Sequence, residues 1–252
     1  MLTHPTLEKL HQLRLTGMAE AYAQQLALPD IDTLSGDERI GLLVDCEFTA
    51  RDSRRLRTRL RRAKLRHAAA VEDIDYRHAR GLDKSLLTRL TTCQWIREHH
   101  NVLITGPTGI GKSWLACALA NQACRLGFNV LYVRLSRFLP ELVIARADGR
   151  YAKLINTLAK TDLLVLDDFG SARLSEDHRR DLLEILDDRY GARATLVTSQ
   201  FPIDKWHDLI GDPTLSDAIL DRLVHNAYKL ALKGDSLRKQ RQALTQTGHC
   251  DA

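Results

Sequence analysis

The chain has 252 residues, of which 44% are hydrophobic and 27% are charged, with a formal net charge of +5. This length suits one large domain or a domain with an appendage, and no apolar run reaches the roughly 18 residues of a membrane helix. The first residues lack the apolar segment of a signal peptide. The five cysteines include no C-x-x-C pair, which argues against a disulfide framework or a zinc site and favours a reducing, cytoplasmic location.

The amino-terminal part of the chain is predicted to be helical. Apolar side chains recur there at helical spacing until the sequence LALPDIDTLSGDE interrupts the pattern. Ser35 and Glu38 then have the spacing of a capping box, which opens a helix expected to extend to about Ala70. We predict a small all-helical amino-terminal domain, a connector and a larger domain. Their predicted limits are 1–70, 71–100 and 101–252.

The end of this long helix is strongly basic. Its nine like charges on about four turns repel one another and indicate a polyanionic partner. Arginine predominates, which suits bidentate phosphate contacts, and no aromatic residues are interleaved for base stacking. Binding of a duplex DNA backbone therefore fits best, and a solvated or acid-paired helix in a protein–protein contact is the alternative. The predicted DNA-binding residues are Arg51, Arg54, Arg55, Arg57, Arg59, Arg61, Arg62, Lys64 and Arg66.

The sequence NVLITGPTGIGKSWLACALA combines an apolar strand, a glycine-rich turn and an alanine-rich helix. The turn fits G-x-x-x-x-G-K-[ST] at every position, a pattern that cradles phosphates with backbone N–H groups at a helix N-terminus. Lys112 is expected to reach the β- and γ-phosphates of ATP, and the Ser113 hydroxyl to ligate Mg²⁺. The predicted nucleotide-binding residues are Gly106, Pro107, Thr108, Gly109, Ile110, Gly111, Lys112, Ser113 and Trp114.

Strands and helices alternate after the phosphate loop. Apolar runs at 129–135, 162–170 and 194–200 are predicted to be strands, and helical patterns separate them. Such alternation is typical of the α/β class, in which helices cover both faces of a parallel sheet.

The strand predicted at 162–170 ends in two carboxylates. Ligands of an open parallel sheet lie at the carboxyl ends of its strands, so Asp167 and Asp168 are expected beside the phosphate loop. Asp167 is predicted to hold Mg²⁺, directly or through water, and Asp168 to polarise the attacking water as general base. Ser199 and Gln200 end the next strand. Either is expected to sense the γ-phosphate or position water, with an ordinary strand end as the alternative.

The set GPTGIGKS, LLVLDDFG, VTSQ and ILDRL resembles AAA+ ATPases of the initiator and helicase-loader branch. Within that branch the chain is most similar to the IstB-like helper ATPases of insertion sequences, because LHQLRLTGMAEAYAQQ, the basic segment and KGDSLRKQR match that group as well. A DnaC-like loader of a replicative helicase is the alternative. The resemblance implies an AAA+ P-loop core, and duplex DNA, a transposase subunit and further copies of the chain as partners.

By this resemblance, Arg222 is an arginine finger that enters the ATP site of a neighbouring subunit. We expect Ser216 to cap its helix, and Leu220, Leu223 and Ala227 to face the core, so that Arg222 projects outward. An ordinary surface arginine is the alternative.

The resemblance also assigns Arg238 as a second sensor that contacts nucleotide in its own subunit. Few residues follow Arg238, so little or no carboxyl-terminal lid is expected, and the sensor role lacks its usual setting. Asp168 stands where many AAA+ proteins have glutamate. The aspartate side chain is shorter than that of glutamate, which favours an ATPase that hydrolyses ATP slowly, as a timer, over a motor.

Overall fold

The computed structural model describes residues 4–29, 31–76 and 80–236. The chain separates into two compact units, Met1–Thr58 and Arg59–Ala252. These compact units are not a test of the predicted domains, so the limits at residues 70 and 100 stay a prediction. Within the described ranges, no helix is both long enough and apolar enough to span a membrane.

The amino-terminal unit is helical, as predicted. The predicted capping box is present, because the Ser35 amide donates to Glu38 Oε2 (2.8 Å) and the Glu38 amide donates to Ser35 Oγ (3.3 Å). Glu47 is buried and accepts from the amides of Gly17 (2.8 Å) and Met18 (3.1 Å), which satisfies two donors at the start of a helix. The helices are α1 (Pro5–Gln12), α2 (Thr16–Ala27) and α3 (Gly36–Ala63), and α3 continues into the second unit.

The second unit contains a five-stranded parallel sheet with helices packed around it. The strands are β1 (Asn101–Thr105), β2 (Val130–Arg134), β3 (Leu163–Phe169), β4 (Ala194–Ser199) and β5 (Ala227–Ala231). The helices are α4 (Lys84–Thr91), α5 (Gln94–Arg97), α6 (Lys112–Arg125), α7 (Leu135–Ala147), α8 (Tyr151–Lys160), α9 (Glu176–Arg189), α10 (Trp206–Ile210) and α11 (Pro213–Val224).

The sheet order is β2-β3-β4-β1-β5, which places β1 and its phosphate loop between two parallel neighbours. Every residue of β1 and β4 is buried, and the three strands predicted after the loop are confirmed as β2, β3 and β4. Because β3 and β4 lie side by side and β4 pairs with β1, the ends of all three strands converge on the loop.

The segment 216–228 differs from the prediction of one continuous helix. Helix α11 begins earlier, at Pro213, and the Asp212 carboxylate caps it by accepting from the Leu215 amide (2.8 Å). Ser216 therefore does not cap this helix, and its hydroxyl donates to the His207 carbonyl (3.1 Å). Ala227 begins β5 instead of continuing the helix, because pairing along the whole of β1 satisfies the backbone of this segment.

Candidate nucleotide-binding site

The phosphate loop joins β1 to α6 and requires glycine at two close contacts. Gly106 has a φ of 145°, and a Cβ there would lie 2.4 Å from the carbonyl oxygen of Leu232. Gly109 has a φ of 87°, and a Cβ there would lie 2.1 Å from Ser236 Oγ. The residues after β5 therefore pack directly against the loop, and any side chain at these glycines would displace them.

Lys112 is the first residue of α6, and its side chain folds back into the loop. Its Nζ donates to the carbonyl oxygens of Gly106 (2.7 Å) and Pro107 (2.9 Å). Burial lowers the pKa of the Lys112 ammonium, while the charges of Asp168 and Asp167 oppose this shift. The cation thus lies where the phosphates of a nucleotide would meet it.

Asp167 is fully buried and is the centre of a hydroxyl cluster. Its Oδ1 accepts from Ser113 Oγ (2.7 Å) and Thr198 Oγ1 (2.6 Å), and its Oδ2 accepts from the Tyr132 hydroxyl. Burial and the hydrogen bond to Asp167 raise the pKa of Tyr132, so the phenol stays a donor. Ser113 and Asp167 offer adjacent hard oxygen atoms, the donor type that Mg²⁺ takes when phosphates and water complete its shell.

Asp168 lies at an irregularity in the pairing of β3 with β4. Leu166 pairs with Val197 and Phe169 pairs with Ser199, so two residues of β3 oppose Thr198 alone. Asp168 takes a left-handed φ of 62° there, and its amide donates to Thr198 Oγ1 (3.1 Å). The bulge presents both carboxylates at one strand end.

The carboxylate of Asp168 is paired with Arg134, the last residue of β2. Arg134 Nε lies 2.7 Å from Asp168 Oδ2, and both side chains are partly exposed. The predicted general base is therefore held by a cation of its own chain in this structure.

The two predicted sensors at the end of β4 have different surroundings. Gln200 is exposed, and its Oε1 accepts from the hydroxyl of Thr108 in the phosphate loop (3.0 Å). Ser199 is fully buried and donates to the Phe169 carbonyl (2.8 Å) while accepting from the Phe201 amide (3.1 Å). Gln200 already contacts the loop, whereas a γ-phosphate contact from Ser199 stays a prediction that requires its hydroxyl to leave these partners.

Sequence reasoning missed four residues of this site. Tyr132, Arg134 and Thr198 lie at or near the ends of strands, so the rule that located the carboxylates could have included them. No sequence pattern indicated that Arg80 belongs to the site. It is 4% exposed, burial lowers its pKa, and its guanidinium donates to the carbonyls of Ile110 (3.4 Å) and Asp75 (3.0 Å).

Arg222 lies on α11, and its guanidinium binds groups of its own chain. Its Nε donates to the Asp187 carboxylate of α9, and its Nη1 donates to the Ala218 carbonyl (2.8 Å). In the part of the chain that the structure describes, no hydrogen bond or ion pair joins Arg222 to Lys112, Asp167 or Asp168. Arg238, and with it the prediction about a lid, lies outside the described residues.

The predicted basic helix is shorter than expected. α3 ends at Ala63, and Lys64 takes a left-handed φ of 53°. The expectation of a helix to about Ala70 is therefore wrong, because the chain turns at Lys64 and the segment that follows brings Arg66 within 3.8 Å of Asp167. Lys64 and Arg66 lie beyond the helix.

The predicted DNA-binding residues divide into a group whose side chains have partners and a group whose side chains have none among the described residues. Arg51 pairs with Glu47 (2.6 Å), Arg54 donates to Thr16 Oγ1 (2.6 Å), and Arg59 donates to the Cys124 carbonyl (2.8 Å). Arg66 lies 3.8 Å from Asp167. The others are exposed, and their side chains have no hydrogen bond or ion pair among the described residues: Arg55, Arg57, Arg61, Arg62 and Lys64.

Comparison with known proteins identifies the family. The family model of the IstB-like ATP binding proteins matches residues 8–245. The chain is 52% identical over 242 residues to the insertion sequence ATP-binding protein y4pL of Sinorhizobium fredii, covering 96% of this chain and 99% of that protein. It is 28% identical over 232 residues to the ATP-binding protein of insertion sequence IS21 from Pseudomonas aeruginosa, covering 92% and 86% of the two chains.

Solved structures show the fold. DnaI matches with a TM-score of 0.57 at 20% identity, covering 66% of this chain and 92% of that chain. The replication initiator DnaA bound to AMPPCP and single-stranded DNA matches with a TM-score of 0.55 at 19% identity, covering 73% and 56%. The predicted α/β fold, with a parallel sheet flanked by helices, is thus confirmed. The chain belongs to the family of IstB-like ATP binding proteins.

Proposed function

We propose that this chain is a DNA-dependent AAA+ ATPase that assembles on duplex DNA with ATP and serves as the helper of an insertion-sequence transposase. In this role it selects target DNA, recruits and stimulates the transposase in the cytoplasm, and uses hydrolysis as a timer. The observation that carries the proposal is the cluster at the phosphate loop, where Ser113 and Thr198 both donate to one oxygen of the buried Asp167.

The residues of the cluster have separate roles in this proposal. Lys112 binds the β- and γ-phosphates, and the loop amides orient them. Ser113 and Asp167 hold Mg²⁺, which neutralises charge on the phosphates when it is bound. Thr198 and Tyr132 fix the Asp167 oxygens, so the carboxylate keeps one orientation.

Asp168 accepts the proton of the attacking water, and Gln200 positions that water near the loop. The ion pair with Arg134 engages the Asp168 carboxylate, and we expect this pair to separate before Asp168 accepts the proton. Such a restraint suits an ATPase that remains in its ATP-bound state for a long time.

Two observations support duplex DNA as the partner. Four exposed arginine side chains of α3 have no hydrogen bond or ion pair among the described residues, so their charges are available to phosphates, namely Arg55, Arg57, Arg61 and Arg62. The basic segment also lacks aromatic residues, which disfavours stacking on single strands.

The transposase partner and the shared ATP sites rest on the family. Relatives about half identical to this chain over nearly their whole length are named as ATP-binding proteins of insertion sequences. This favours a transposition helper over a loader of a replicative helicase. Affinity purification with the transposase of the same insertion sequence, and with a replicative helicase, separates the two.

Asp168→Asn is the experiment for the ATPase. The variant should bind a fluorescent ATP analogue like the parent but release phosphate roughly 10²–10⁴-fold more slowly, because it lacks the general base. Its ATP-dependent complexes with duplex DNA should therefore persist in a gel-shift assay.

Lys112→Ala is the matched control, because it should fail at the earlier step of nucleotide binding. Phosphate release by Asp168→Asn at the parent rate, with or without duplex DNA, would show that Asp168 is not the base.

A further inference from the structure

One arginine of the basic segment reaches the carboxylate proposed to hold Mg²⁺. Arg66 Nη1 lies 3.8 Å from Asp167 Oδ2, the oxygen that also accepts the Tyr132 hydroxyl. The Arg66 side chain is 37% exposed, whereas that of Asp167 is fully buried. The Arg66 guanidinium thus lies beside a residue of the candidate nucleotide site, while part of the Arg66 side chain is exposed to solvent.

The segment that carries Arg66 is attached to the rest of its unit at two places. Arg59 Nε donates to the Cys124 carbonyl (2.8 Å), near the end of α6. Seven residues later, Arg66 lies beside Asp167, whose Oδ1 accepts from Ser113 in the first turn of α6. The segment therefore runs along α6 toward the phosphate loop.

Three exposed cations lie between these attachments, namely Arg61, Arg62 and Lys64. None of their side chains has a hydrogen bond or ion pair with a described residue. A polyanion bound along them would reach Arg66 next, since Arg66 follows Lys64 by two residues. Its phosphates would then compete with Asp167 for the Arg66 guanidinium.

We propose that Arg66 restrains cation binding at Asp167 and that a DNA phosphate bound to this segment releases the restraint. Arg66 is expected to weaken cation binding at Asp167, because a guanidinium beside Asp167 Oδ2 repels a cation bound to the same carboxylate. DNA binding thereby promotes the Mg²⁺-dependent binding of ATP. Arg66 is a positioning residue, and the DNA part of this inference rests on the proposed function.

The test measures the Mg²⁺ concentration that half-saturates binding of a fluorescent, non-hydrolysable ATP analogue, without and with saturating duplex DNA. In the parent, DNA should lower this concentration roughly threefold to tenfold, as for a charge pair between the exposed and buried extremes. In Arg66→Gln the concentration should already be low without DNA and should not fall further.

Two variants serve as controls. Arg66→Lys retains the charge and should restore the parent response, which a merely structural role of the guanidinium would not predict. Arg61→Gln removes one cation of the same segment that does not contact the site. It should bind duplex DNA less tightly, and its Mg²⁺ requirement should still fall when DNA is saturating.

The Mg²⁺ requirement measured without DNA is sufficient to test whether Arg66 restrains the site. If Arg66→Gln needs as much Mg²⁺ as the parent without DNA, Arg66 does not restrain the site and the proposal is wrong. Fluorescence anisotropy with labelled duplex tests DNA binding separately. A parent that binds no duplex DNA would overturn the proposed function and the DNA-driven release, whereas a lowered requirement in Arg66→Gln would still establish the restraint.

Discussion

At the scale of single residues, the Thr198 hydroxyl connects the two carboxylates. It donates to Asp167 Oδ1 (2.6 Å) and accepts from the Asp168 amide (3.1 Å), and Thr198 is fully buried. The hydroxyl therefore supports both the orientation of Asp167 and the left-handed backbone of Asp168.

Thr198→Val should lower the free energy of unfolding by about 1–3 kcal/mol, because it leaves buried polar groups without a partner. It should also slow phosphate release more than Ser199→Ala does, since the Ser199 hydroxyl binds only backbone groups of β3 and the following turn. Urea unfolding and phosphate release at saturating ATP measure the two effects. A larger loss of turnover in Ser199→Ala would instead favour Ser199 as the γ-phosphate contact.

At the scale of elements, the basic end of α3 contributes exposed arginines from each compact unit. Arg55 and Arg57 belong to the first unit, and Arg61 and Arg62 to the second. All four are exposed, whereas Arg51, Arg54 and Arg59 are hydrogen-bonded within their own units. The exposed set is therefore the better place to test DNA binding.

Arg55→Glu with Arg57→Glu, and separately Arg61→Glu with Arg62→Glu, should weaken binding to all duplex sequences. Each lost phosphate contact should reduce the slope of log affinity against log salt by about 0.9. Anisotropy titrations over a range of salt concentrations measure both effects for each unit. Reversal of Lys153 and Lys160, two exposed residues of α8, changes the net charge equally and should leave the slope unchanged. Unaltered affinity and slope in both arginine variants would reassign α3 to a protein contact.

At the scale of the whole molecule, the position of Arg222 bears on assembly. Arg222 is on α11 and pairs with Asp187 of α9, and within the described residues it makes no hydrogen bond or ion pair with the nucleotide site of its own chain. We therefore predict that Arg222 stabilises transition-state charge in a neighbouring copy.

Arg222→Ala should bind ATP like the parent but hydrolyse it roughly 10³-fold more slowly, the typical cost of losing an arginine finger. Lys112→Ala should be inactive for the different reason that it cannot hold ATP. A mixture of the two variants should regain part of the phosphate release, because Lys112→Ala subunits lend Arg222 to the intact sites of Arg222→Ala neighbours. The regained activity should grow with protein and DNA concentration. Co-assembled mixtures that stay inactive would falsify a trans-acting finger.

The sequence alone determined the architecture, because its signals are local. The glycine pattern, the buried strand ending in Asp167 and Asp168, and the alternation of strands and helices each depend on short-range chain geometry. Together they predicted the α/β class, and the structure confirms it.

Which side chains contact one another depends on long-range packing. Thr198 joins both carboxylates because a bulge places two residues of β3 opposite it, Arg134 reaches Asp168 from the next strand, and β5 forms where β1 offers a parallel edge. The basic segment shows the same limit. Its charges are evident in the sequence, but the contact of Arg66 with Asp167 is not, because these residues are about a hundred positions apart and only the folded chain brings them together.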